Sequence, residues 1–281
     1  MPSTGKKASI PWWTGLLVFS VLSVFIFVLS IAVTTILLSF GASEETVAGL
    51  STPLGLAIQV LVISSIFAGV AMAVPTLAEV PVKSWLKMTP ATPAMFGFAL
   101  LGVTGIGFLV DELTFALYRI APTTFAAEGL DLFNRMFSQA TPAMFGLMTV
   151  AVTLGPGLGE ELLFRGLLLR SFLNGLSAPV AILLSSVLFG LIHLDALQGV
   201  GAGVIGLYLG IVAYRCQSIW PAVAAHALNN LICAMFARFG GDLSTVWRQG
   251  HPLWIVILAA VVLMGASVGL MRCTSGAAEG R

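Results

Sequence analysis

Charge is what this sequence has least of. Asp, Glu, Lys and Arg make up 9% of its 281 residues, against about 25% in a soluble domain. So few charges cannot coat a water-soluble globule of this size. A soluble enzyme, a nucleic-acid binder and a disordered chain are therefore excluded. Cysteine is scarce as well. Cys216, Cys233 and Cys273 stand far apart without metal-ligand spacing, so neither a disulfide framework nor a zinc knuckle is indicated. The net charge of +1 creates no bulk field to attract a partner of either sign. Long polar stretches are missing, no soluble domain fits, and 1–281 reads as one membrane domain. What the chain does have is apolar side chains: 58% of residues are hydrophobic and the mean hydropathy is +1.02. That composition predicts an all-α, polytopic bundle embedded in a lipid bilayer.

About 20 apolar residues span a bilayer core as a helix. Eight stretches qualify: 12–40, 54–80, 93–118, 141–173, 178–197, 199–214, 219–238 and 252–272. The first is far longer than the ~7–15 residues of a signal-peptide core, so we expect an uncleaved anchor. The fourth exceeds one plain span, and Gly155-Pro156-Gly157 should kink or interrupt it. Stretches five and six are joined by almost nothing, and the sixth is short.

Orientation follows from the basic residues. With the N-terminus in the cytoplasm, Lys6, Lys7, Lys83, Lys87, Arg165, Arg170, Arg215, Arg272 and Arg281 fall inside. Arg119, Arg135, Arg238 and Arg248 fall outside. This asymmetry follows the positive-inside rule and puts both termini in the cytoplasm, with the plasma (inner) membrane as the expected location. Trp12, Trp13, Trp85, Trp220, Trp247 and Trp254 all lie at or near span ends, as an interfacial belt requires.

One segment repeats. Ala91-Thr-Pro-Ala-Met-Phe-Gly97 recurs unchanged as Ala140-Thr-Pro-Ala-Met-Phe-Gly146, and residues 91–115 and 140–164 agree at 13 of 25 positions. Asp111-Glu112 aligns with Glu160-Glu161, while Ala116 stands where the second copy has Arg165. Thr-Pro is a good helix start. The two helices should run in opposite directions, as in the inverted repeats of transporters, although one helix is too little to define that architecture.

Ionisable residues inside a membrane are costly and mark functional candidates. Three clusters stand out. In Glu160-Glu161-Leu-Leu-Phe-Arg165, a rotation of about 100° per residue puts Glu161 and Arg165 on one helix face and points Glu160 elsewhere. Arg165 can then neutralise Glu161 and leave Glu160 for another partner; a charge cluster at a membrane boundary is the plain alternative. In Phe189-Gly-Leu-Ile-His193 the two rings share a face, and Asp195 follows as a solvated charge at the helix end. A lone histidine there is more often packing than chemistry. In His226-Ala-Leu-Asn-Asn230 His226 and Asn230 share a face; interhelical glue is the alternative. His251, in a loop beside Pro252, is expected to be incidental.

Together the clusters form a hydrolytic set. A glutamate can take a proton from water, and imidazole and amide groups can donate to a developing oxyanion. No serine or cysteine nucleophile sits in comparable company; Ser185 and Ser186 read as packing residues. At these residues the sequence resembles the CPBP family of CAAX-protease and bacteriocin-processing intramembrane proteases, also called Abi. The family pattern is Glu-Glu-x-x-x-Arg, then Phe-x-x-x-His, then His-x-x-x-Asn. All three occur here in order within about 150–235. The first 140 residues match only in being membrane spans.

The resemblance implies a bundle of about eight helices with its site inside the membrane. It also implies the roles: Glu160 as general base, His193 holding the water, His226 and Asn230 as oxyanion hole, Glu161 and Arg165 as a structural pair. The implied substrate is a membrane-associated protein or peptide, in CAAX-like tail processing, anchor removal or peptide maturation. Many relatives are labelled metalloproteases. Zn²⁺ on Glu160, His193 and His226 is the alternative mechanism, but no His-Glu-x-x-His helix is present and the site needs its carboxylate as base. We therefore expect no metal or other cofactor. A rival function is an ion- or proton-coupled transporter; against it, the polar residues gather in one C-terminal bundle. A binding-only immunity or scaffold protein is a third reading, which the intact motif residues oppose. One difficulty remains. Measured along straight helices from the boundaries above, His226 lies roughly 10 Å from its span end and His193 roughly 22 Å from its own, so the two would not meet.

Overall fold

The computed structural model describes residues 9–40, 52–240 and 250–275. Lys6, Lys7, Trp247, Arg248 and Arg281 lie outside the described residues. All regular structure among the described residues is helical. In chain order the helices are α1 (Trp13–Ser39), α2 (Pro53–Leu77), α3 (Val82–Trp85), α4 (Pro93–Ile120), α5 (Glu128–Gln139) and α6 (Pro142–Glu161). A π-helical segment, Leu162–Leu168, carries α6 without a break into α7 (Leu169–Phe172). Then come α8 (Ala178–Leu191), α9 (Ala196–Cys216), α10 (Trp220–Phe239) and α11 (Leu253–Ser275). The protein is an all-α helical bundle.

Among the described residues, seven helices are long and apolar enough to cross a membrane, counting 142–172 as one. The eighth expected span, 178–197, is not among them. Its helix stops at Leu191 after 14 residues, and the chain turns through Leu194 at φ 57°. The sixth stretch is correspondingly longer than expected, because α9 starts at Ala196 rather than at 199. Asp195 is not a free solvated charge; it caps α9, accepting the Gln198 N–H at 2.7 Å. The Asp195-Ala-Leu-Gln198 pattern is a helix-start signal legible in the sequence.

Gly155-Pro156-Gly157 does not interrupt its helix: α6 runs through Pro156. A proline at 156 leaves the Val152 carbonyl without its usual intrahelical donor. Asn230 Nδ2 on α10 supplies one at 2.9 Å. The neighbouring glycines serve close approach. A Cβ at Gly157 would lie 3.2 Å from Ala227 Cβ on α10, and one at Gly159 would run into the backbone of Ser64 on α2. The irregularity of this long helix sits one step later, in the π-helical segment that begins directly after Glu161.

The duplicated segment gives the same local structure twice. Thr92 Oγ1 accepts the Met95 N–H at 3.3 Å, Thr141 Oγ1 accepts the Met144 N–H at 3.4 Å, and a proline follows each cap. Each copy is a helix-start cassette. The two helices run in opposite directions. The start of α10 is tied to the residues before α4 by Ile219 N–H to Lys87 O at 3.0 Å and Ser218 Oγ to Thr89 O at 2.6 Å. Its end is tied to the residues before α6 through Arg238 and the Ser138 carbonyl. α10 packs on both α4 and α6, α2 packs on α6, and α11 packs on α4.

The core is a set of aromatic contacts around Phe164, which meets Phe67, Phe19 and Phe189 edge-on at centroid separations of 6.3, 6.5 and 5.1 Å. The outward faces of the long helices carry bare Val, Leu, Ile and Phe, among them Val21, Phe27, Ile58, Leu101 and Leu154. Such faces suit lipid tails, while the helices keep their backbone groups satisfied internally. Two arginines assigned to the cytoplasmic side are not surface charges. Arg165 is fully buried, and Arg170 is buried with Nη2 on the Ala213 carbonyl at 3.0 Å.

Candidate active site

Interlocking helix registers bring the three motifs together. Leu86 packs on Gly166, and the start of α10 hangs on Lys87 beside it. α10 therefore begins level with Gly166, well inside the length of the α6–α7 rod. Six residues separate Gly166 from Glu160, and six separate Trp220 from His226. The equal rises, roughly 9 Å each, bring Glu160 and His226 to one level. On α8, Ser185 Oγ donates to the Phe164 carbonyl at 3.0 Å. Four residues separate Phe164 from Glu160 and Ser185 from Phe189, so Phe189 reaches the same level. This resolves the mismatch left by straight spans with full-length ends: α10 starts inside the bundle and α8 is short.

Glu161 and Arg165 share a face, as the spacing predicts. Arg165 Nη1 donates to Glu161 Oε1 at 2.7 Å, and both side chains are sealed from solvent. Arg165 Nη2 donates to the Gly206 carbonyl on α9 at 3.0 Å. Its guanidinium lies over the Phe189 ring, 4.4 Å from the centroid. A lone buried charge would cost several kcal/mol, and this surround compensates it.

Glu160 points away from Arg165 and keeps 15% of its side-chain surface accessible; its carboxylate Oε2 lies 3.9 Å from His226 Nε2. The other ring nitrogen, His226 Nδ1, is 2.9 Å from Glu161 Oε1. A carboxylate paired with arginine only accepts, so Nδ1 carries the proton and Nε2 faces Glu160. His193 follows the end of α8, with Nδ1 2.9 Å from the Phe189 carbonyl. A carbonyl also only accepts, so His193 presents Nε2 as a lone pair. The His193 and His226 rings both meet Phe189 edge-on, with centroids 5.2 and 5.7 Å away. Phe189 thus holds both imidazoles and the arginine.

Asn230 donates one Nδ2 hydrogen to Val152 O, and its Oδ1 accepts from Asn229 Nδ2 at 3.5 Å. The amide orientation is fixed, and the second Nδ2 hydrogen has no acceptor among the described residues. Glu160, Glu161, Arg165 and His226 thus form one contact group with Phe189; His193 joins it through the Phe189 ring, and Asn230 holds the Val152 carbonyl one turn further along α10. Sequence reasoning missed the Val152 carbonyl and the Gly206 carbonyl. Pro156 four residues after Val152 was the available signal for the first; nothing in the sequence marks the second.

Glu160, His193 and His226 were the alternative ligand set for zinc. Among the described residues no group of three or more His, Cys, Asp or Glu is disposed to hold a metal ion. Glu160 and His226 face each other, while the contacts of His193 are with the ring and the carbonyl of Phe189.

Asp111 and Glu112, the counterparts of Glu160 and Glu161 in the first repeat copy, have an imidazole of their own. His251 Nε2 is 3.4 Å from Asp111 Oδ2, its backbone N–H donates to Glu112 Oε1, and its ring meets Phe108 edge-on at 5.3 Å. His251 is therefore a structural tie between α4 and the start of α11 rather than an incidental loop residue.

Comparison with known proteins agrees with the motif geometry. Residues 142–232 match the family model described as type II CAAX prenyl endopeptidase Rce1-like. No curated protein matches the chain, and no solved structure does. The matched segment runs from the start of α6 to within α10 and contains Glu160, Glu161, Arg165, Phe189, His193, His226 and Asn230. With seven helices of membrane-spanning length and composition among the described residues, this is an integral membrane protein whose residues 142–232 are similar to the Rce1-like type II CAAX prenyl endopeptidases, a likeness consistent with the CPBP intramembrane proteases that its motifs resemble.

Proposed function

We propose that the protein is an intramembrane endopeptidase that cleaves a peptide bond of a membrane-associated protein or peptide with a water activated by Glu160. The observation that carries this reading is the division of labour between adjacent acids. Glu161 is sealed and committed to Arg165 and His226, whereas Glu160 is partly accessible and faces His226 Nε2. Residues 1–281 act as one membrane domain, with the chemistry in the Rce1-like segment. CAAX-like tail processing, anchor removal or peptide maturation are the substrate classes that fit such a site. We place the protein in the plasma membrane with both termini cytoplasmic.

In this reading Glu160 takes a proton from a water held with the help of the His193 Nε2 lone pair. The resulting hydroxide attacks the scissile carbonyl carbon. The oxyanion receives hydrogen bonds from the His226 imidazolium Nε2–H and from the uncommitted Asn230 amide hydrogen. Collapse breaks the C–N bond, and the leaving amine takes the proton stored on Glu160. With His226 as imidazolium, the four groups Glu160, Glu161, Arg165 and His226 balance two negative against two positive charges. That balance suits an apolar interior, where an uncompensated charge is expensive. No metal takes part: the one accessible carboxylate is needed as the base.

The test compares cells carrying the wild-type chain with cells carrying Glu160→Ala or Glu160→Gln at matched expression, read by terminal-peptide proteomics. Specific termini should vanish in both variants while longer precursors accumulate. In isolated membranes a chelator should leave wild-type cleavage intact. Termini unchanged between wild type and variants would sink the protease reading; loss with chelator and rescue by zinc would replace the metal-free mechanism.

A further inference from the structure

The Glu161–Arg165 pair is more than a buried structural bridge. Two hydrogen bonds converge on one atom, Glu161 Oε1: Arg165 Nη1 at 2.7 Å and His226 Nδ1 at 2.9 Å. Oε2 of the same carboxylate has no hydrogen-bond partner among the described residues. Glu161 is itself held by an arginine fixed from two sides, through the Gly206 carbonyl and the Phe189 ring. The imidazole is thereby tied to the frame of α6, α8 and α9, although it rides on α10. We propose that Glu161 is the positioning residue of His226. It keeps one proton on Nδ1, so that the second proton of the imidazolium sits on Nε2, the nitrogen that faces Glu160 and donates to the oxyanion.

This proposal rests on the protease reading for its purpose, but its central claim is a tautomer that can be observed without any substrate. Without an acceptor at Nδ1, the neutral ring can carry its proton on either nitrogen. With the proton on Nε2, the ring can no longer receive one there. With the proton on Nδ1, it presents a lone pair to Glu160 and becomes a donor when charged. A carboxylate that fixes a catalytic imidazole in this way contributes up to about 10⁴-fold in rate elsewhere.

The experiment uses the full chain in lipid nanodiscs with ¹⁵N-labelled histidine. The chain has three histidines, and the His226 signals are assigned by their loss in His226→Gln. In the wild type Nδ1 should keep a protonated, pyrrole-type shift throughout a pH series, and only Nε2 should turn pyridine-type as pH rises. Replacing the pair together, Glu161→Leu with Arg165→Met, avoids stranding an unpaired arginine. It should release Nδ1 to a mixture of tautomers and slow the appearance of cleaved termini by about 10²–10⁴-fold. Glu161→Gln retains a carbonyl oxygen and should restore the Nδ1–H signature together with much of the cleavage.

A wild-type spectrum with pyridine-type Nδ1 would overturn the proposal, as would a double variant with its tautomer unchanged. If the double variant does not fold, the wild-type spectrum decides alone. An Nδ1–H signature in a chain that cleaves nothing would uphold the positioning bond and overturn the protease reading separately.

Discussion

At the residue scale, what matters is which atom of each polar side chain is already taken. Glu160 and Glu161 are chemically alike and adjacent. Helical rotation sends one to the arginine and leaves the other beside an imidazole. His193 and His226 are both fixed at Nδ1 by acceptor-only oxygens, and both offer Nε2. His251 shows the same imidazole–carboxylate pairing outside the spans. The Asp111 carboxylate beside it holds the His251 imidazole above its ordinary value, against the opposing effect of burial. A raised folded-state value favours the charged ring. The stabilisation is therefore full below the unfolded-state value and is lost as pH rises through the folded one. Thermal melts of wild type and His251→Leu in detergent should differ most near pH ~5.5 and converge at alkaline pH, where the ring is neutral in both states. A difference that grows with pH would contradict this pairing.

At the element scale, the site depends on small residues and interrupted geometry as much as on acids. Glycine at 159 lets α6 approach the Ser64 backbone on α2, directly before Glu160. A methyl group there has no flexible neighbour to displace. Gly159→Ala should therefore lower the melting temperature and cut the yield of cleaved termini to near the level of Glu160→Ala. Gly97→Ala is the control, because nothing lies within 4 Å of its Cβ, and the change should be neutral or slightly stabilising through helix propensity. Equal effects at the two positions would refute the close-approach account. The helix ends were the least legible part of the sequence. Apolar residues continue from 178 past Leu191, so hydropathy cannot mark where α8 stops. Asp195, with Gln198 three residues on, did carry a readable start signal for α9. Pro156 was legible as a helix breaker, yet Asn230, 74 residues later in the chain, keeps the helix intact by occupying the freed carbonyl.

At the scale of the whole molecule, the bundle sets depth. α10 begins level with Gly166 because the 217–220 turn hangs on the segment around Lys87 and Thr89. This inset start brings His226 to the level of Glu160. The seven long helices and the short α8 together make eight passes, an even number, if α8 returns the chain across the core. Topology reporters fused to each end test this directly: both termini should report the cytoplasm, active for a fluorescent reporter and inactive for a periplasmic phosphatase. Opposite sides would mean that α8 does not complete a crossing. The buried positions of Arg165 and Arg170 remove two cations from the orientation tally. Orientation then rests on the loop lysines and on the remaining arginines.

The sequence by itself determined the membrane class, the seven long spans to within a few residues, and the pairing of Glu161 with Arg165. Those depend on composition and on spacing within a single helix, which are local quantities. It also singled out Glu160, Glu161, Arg165, His193 and His226, because ionisable groups stand out against an apolar background. Only the tertiary structure decided how deep each helix starts, which nitrogen of His226 is committed, and which carbonyl Asn230 holds. Each of these depends on contacts between segments far apart in the chain, where a shift of one turn moves a side chain by about 5 Å and separates an acid from its imidazole.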